Sequence, residues 1–89
     1  MPKTPNKKGI KVERVQLGVR MEKRLVKVLK AMAEYHDLSL GNLMEGIILH
    51  SMEGESPFSD DSIKRIEQFK QLYGMDYDSS SAHNLEEEE

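Results

Sequence analysis

From residue 14 to residue 21 the chain alternates. Val15, Leu17, Val19 and Met21 share one face, and Arg14, Gln16, Gly18 and Arg20 share the other. A strand turns successive side chains to opposite faces, so this period predicts a half-buried β-strand with one polar face. A lone strand cannot satisfy its own backbone groups, and no second strand lies nearby for a hairpin. The expected partner is the same strand of a second copy, paired antiparallel about a two-fold axis.

After residue 22 the spacing becomes helical. Leu25, Val28, Leu29 and Met32 fall at i, i+3, i+4 and i+7, extended by Tyr35, and predict a helix over 23–36. Asp37, Leu38 and Ser39 interrupt the pattern; Asp tolerates a left-handed turn residue, and Ser39 suits an N-cap. Residues 40–53 predict a second helix. Leu43, Met44, Ile47, Ile48, Leu49 and Met52 leave few of its directions polar, so it is expected to be buried. Gly46 inside it costs about 1 kcal/mol against Ala, and a close helix crossing would explain it. Gly54 suits its end. Ser59 is expected to cap a third helix with Asp60 and Asp61 at the positive end of its dipole. Ile63, Ile66, Phe69 and Leu72/Tyr73 form its stripe, and Gly74 ends it.

Charge divides the chain in the same place. Residues 1–30 carry ten Lys/Arg against two acidic residues, and residues 31–89 carry three against fourteen. Such a split points to a polyanion-binding end and to attraction between the acidic C-terminus and the basic N-terminus. At 89 residues with no cysteine, the chain is marginal as a monomer and has no disulfide to compensate, which favours oligomerisation. No window approaches a membrane span. The start MPKTPNKKG lacks an apolar signal core, so a cytoplasmic location is expected.

A lone alternating strand, a helix, a Ser-capped turn and a second apolar helix, over residues 15–52, resemble the ribbon-helix-helix family of Arc-, MetJ- and CopG-like DNA-binding proteins. Met32-Ala33, followed four residues later by Leu38-Ser39, is the most CopG-like part. The resemblance implies a mainly α fold with one short strand. The expected architecture is an intertwined homodimer whose strands form an intermolecular two-stranded antiparallel ribbon, here with a C-terminal third helix added. The expected organisation is a flexible basic arm over 1–11, carrying Lys3, Lys7, Lys8 and Lys11, and a ribbon-helix-helix domain over 12–54. A helix extension over 55–75 and a disordered acidic tail over 76–89 follow.

The implied function is a dimeric, sequence-specific regulator of transcription, a repressor, whose ribbon reads the major groove of double-stranded DNA. Gln16, Gly18 and Arg20 take the base-reading positions. Arg can pair with guanine and Gln with adenine, each good pair discriminating by about 1–3 kcal/mol. Gly18 departs from the family's polar side chain and reads no base edge. Arg14, Lys23 and Arg24 are expected at phosphates. The amide end of the second helix, Ser39, Leu40, Gly41 and Asn42, is the implied phosphate clamp, with Asp37 an unfavourable neighbour. Lys27 and Lys30 join them or form a solvated face. The implied partners are double-stranded DNA and a second copy, with further assembly of dimers along DNA left open by the sequence.

The alternative is an antitoxin-like or adaptor protein whose C-terminal segment binds a partner protein, with DNA binding secondary; the third helix then serves that partner rather than capping the core. Catalysis is not expected: the serines have no neighbouring base, and Asp60/Asp61 suit a helix start. No cofactor is expected. His36, His50 and His83 lack metal-ligand spacing and are read as helix-end or interface residues rather than metal ligands.

Overall fold

Capping residues decide where the helices of this chain begin and end. The computed structural model describes residues 9–88. Within them α1 spans Lys23–Tyr35, α2 spans Leu40–Met52 and α3 spans Asp60–Leu72, followed by a single 3-10 turn at Ser79–Ser81. Ser39 Oγ accepts the Asn42 amide at 3.1 Å and Ser59 Oγ accepts the Ser62 amide at 3.2 Å, each satisfying one of the free donors at a helix start. Asp37 takes the left-handed conformation after α1 (φ 57), and the Leu38 amide reaches back to the Ala33 carbonyl at 2.8 Å. Gly54 and Gly74 end α2 and α3 in the same way, with φ of 76 and 69.

α1 is the centre. Both α2 and α3 pack against it and not against each other. Val28, Met32, Ala33 and Leu43 form the buried core, bordered by Leu29, Ile47, Phe58, Ile66, Phe69, Tyr73 and Met75. Burying a side chain of Val or Met size contributes about 1.5–3 kcal/mol, so this core is thin. Buried Ser62 adds a polar link: its Oγ contacts Ser59 Oγ and, at 3.3 Å, His36 Nε2, joining the end of α1 to the start of α3.

Three expectations are corrected. The ribbon-helix-helix fold, mainly α with one short strand, is not observed: the described residues hold three α-helices and no strand or sheet. Residues 9–21 make no backbone hydrogen bond to another segment among the described residues. Their alternation marks a face but supplies no partner, and an unpaired strand is left to hydrogen-bond with water. Second, α2 is not buried. Only its Leu43 is fully buried, Met44 and Ile47 are half-buried, and Ile48, Leu49 and Met52 are exposed, because α2 meets one neighbour while its apolar residues point in several directions. Third, Gly46 marks no close crossing here, since a Cβ at that position would meet nothing within 4 Å.

Candidate nucleic-acid interface

The start of α1 gathers more polar contacts than any other helix end. Glu22 precedes the helix, and its carboxylate accepts the Arg24 amide at 3.0 Å and the Leu25 amide at 3.2 Å. Glu is an unusual cap, and here it is supported from outside the helix. Arg24 Nε donates to it at 3.1 Å and the Tyr77 hydroxyl at 2.7 Å. The Arg24 amide bond is the largest cause that lowers the Glu22 pKa to about 2; burial opposes it, and the Tyr77, Arg24 side-chain and Leu25 bonds add to it. Burial first, and then the bond to Glu22, push the Tyr77 phenol up to about 12.

Arg24 also reaches the C-terminal segment. Its Nη1 donates to the Gly74 carbonyl at 2.8 Å and to Asp76 Oδ1 at 3.1 Å, and its guanidinium lies 5.6 Å from the centre of the Tyr77 ring. Arg20 pairs with Glu87. A cleft therefore forms with Arg20, Lys23, Arg24 and Lys27 on one side and Tyr77, Leu85 and Glu86 to Glu88 on the other. Next to it, Lys27 sits 5.8 Å from the centre of the Tyr73 ring, and Arg65 lies 4.6 Å from that of Tyr35. These are cation–π distances.

The sequence-predicted residues thus fall into separate groups. Arg20, Lys23 and Arg24 share the cleft. Gln16 and Gly18 are exposed outside it. Arg14 turns to α2, where its Nε and Nη2 each bond the Glu45 carboxylate at 2.9 Å; the hydrogen bonds from Arg14 hold Glu45 below the usual carboxylate range. This two-pronged pair is the one side-chain hydrogen-bonded tie from the stretch before residue 20 to a helix among the described residues. Ser39, Leu40, Gly41 and Asn42 open α2 but do not line the cleft, and a Cβ at Gly41 would meet nothing within 4 Å. Lys11 is exposed. Lys3, Lys7 and Lys8 lie outside the described residues.

Glu22, Tyr77 and Leu85 were not anticipated from the sequence as parts of this region, whereas Glu87 on Arg20 is a contact of the kind the charge split points to. One signal was available. Tyr77 is the lone aromatic residue after Tyr73, in a stretch otherwise rich in Ser, Asp and Glu, and an isolated aromatic needs a surface to rest on. Two of the three histidines make local structural contacts: His36 at the end of α1 against Ser62, and His50 with Nδ1 2.8 Å from the Gly46 carbonyl. No cluster of three or more metal-ligating side chains occurs among the described residues, and no helix there is long and apolar enough to cross a membrane. Comparison of the chain with protein-family models, with curated proteins and with solved structures found no match.

Proposed function

We propose that this chain is a cytoplasmic, homodimeric regulator of transcription that binds double-stranded DNA through the stretch before α1 and the basic start of that helix. One observation carries the reading. Residues 9–21 are exposed throughout and free of backbone bonding to the helices, and Arg20 among them shares a cleft with Lys23, Arg24 and Lys27. Exposed cations in a row supply the salt-dependent part of DNA affinity. Gln16 and Arg20 are the side chains with the donor geometry to read base edges.

A second copy fits the uncovered apolar positions. Val15, Leu17 and Val19 on the N-terminal stretch, and Ile48, Leu49 and Met52 on α2, are all exposed. These side chains are available for a second copy to cover, and four buried apolar side chains make a small core for a chain without disulfides. Ile66, Phe69 and Tyr73 of the α3 stripe pack against the core, while Ile63 and Leu72 stay exposed. That use of α3 in the core favours DNA over a protein partner as the main target.

Fluorescence anisotropy with a library of labelled duplexes tests the reading. The wild type should prefer some sequences, and Arg20→Ala should flatten that preference by about 1–3 kcal/mol at the position Arg20 reads. Equal affinity of the two proteins for every duplex at matched salt removes Arg20 as a reader; absence of binding to any duplex removes the function.

A further inference from the structure

We propose that the C-terminal segment is a built-in competitor for DNA: it lays carboxylates on the arginines at the start of α1 that would otherwise meet phosphates. The inference rests on the DNA-binding reading above and adds its regulation. The observations are two sets of contacts at different points of the segment.

The first set anchors it. The Gly74 carbonyl and Asp76 hold the Arg24 guanidinium, and Tyr77 lies against that guanidinium while donating to Glu22. Tyr77 is half-buried, so this part is a docked contact rather than a chance approach. The second set is the outer lip. Leu85 and Glu86 to Glu88 line the cleft opposite Arg20 and Lys23, with Glu87 paired to Arg20.

Carboxylate and phosphate present the same chemistry to a guanidinium, two anionic oxygens in a plane. Both therefore compete for the same donors. The Arg20–Glu87 pair is exposed on both sides, 84% and 68%, so it is individually weak. Tethering compensates. Anchoring at Tyr77 confines the glutamates near Arg20 at a high effective concentration, while leaving them exchangeable. The device is thus expected to be sensitive to salt, since exposed charges are screened over about 8 Å at physiological ionic strength.

The test compares three full-length proteins on one labelled duplex at low and high salt. They are the wild type, the combined variant Glu86→Gln, Glu87→Gln, Glu88→Gln, and an equal-charge control, Glu53→Gln, Glu55→Gln, Glu67→Gln. All six positions are exposed, so none of the changes threatens folding. The tail variant should bind about fivefold more tightly than the control at low salt, and the difference should vanish at high salt. Equal gains in the two variants, or no gain in either, overturn the competition and leave DNA binding standing. Absence of duplex binding in all three proteins overturns the DNA-binding reading, and the competition with it.

Discussion

Along α1, Val28 and Met32 are 4% and 1% exposed; along the stretch before it, Val15 and Leu17 are 82% and 79% exposed. Both sets are apolar, regularly spaced and only a few residues apart in the chain. The difference lies in what each can reach. A helix satisfies its own backbone and needs only an apolar neighbour, which α3 and α2 supply. An alternating stretch needs a partner for its backbone as well as a cover for its side chains. Among the described residues neither is provided for residues 14–21, so their apolar face stays exposed.

Substitutions on the two stripes should sharpen the contrast. Met32→Ala carries the largest expected effect, a loss of about 2–5 kcal/mol of folding stability, because it leaves a cavity at the most buried side chain. Chemical denaturation measures it; a loss below 1 kcal/mol would mean the core lies elsewhere.

Glu22→Ala should cost about 1–2 kcal/mol, as a helix cap with added partners, and it carries a pH signature. The folded-state pKa of Glu22 is depressed from 4.5 to about 2. Its contribution is therefore complete above about pH 4.5 and fades as pH falls toward 2, where the carboxylate takes up its proton. Thermal melts across that window should show the wild type losing stability faster than Glu22→Gln. Parallel curves would contradict the role assigned to the carboxylate.

Ser39→Ala should cost about 1 kcal/mol, the ordinary value for a lone N-cap. The smallest effect on folding belongs to Leu17→Ser, within about 0.5 kcal/mol in the monomer. The same change should raise the dimer dissociation constant measured by analytical ultracentrifugation. Unchanged self-association would show that the exposed stripe does not face a second copy.

The helices were legible because their signals are local. Apolar residues three and four apart, Ser39 and Ser59 as caps, Asp37 at the turn, and Gly54 and Gly74 at the ends all act within a few residues of themselves. The misread features depend on distant groups. Alternation over 14–21 records which side chains share a face, not whether a neighbouring strand exists. The all-round apolar character of α2 states a preference for burial that one neighbour cannot fulfil. In the candidate site, Lys23 and Arg24 stand out as basic residues beside a helix start. Nothing adjacent to Arg24 indicates that Gly74, Asp76 and Tyr77, about fifty residues later, meet it. Glu22 is not a residue type that marks a cap, and the one distant bond to it, from Tyr77, has no local sign either.

The central claim is that the basic start of α1 neutralises DNA phosphates, and the salt dependence of duplex affinity tests it most directly. A plot of log affinity against log salt should fall with a slope of about −0.9 for each phosphate neutralised, and Lys23→Gln should make that slope shallower by about one such increment. Identical slopes for Lys23→Gln and the wild type, or affinity indifferent to salt, would contradict the account.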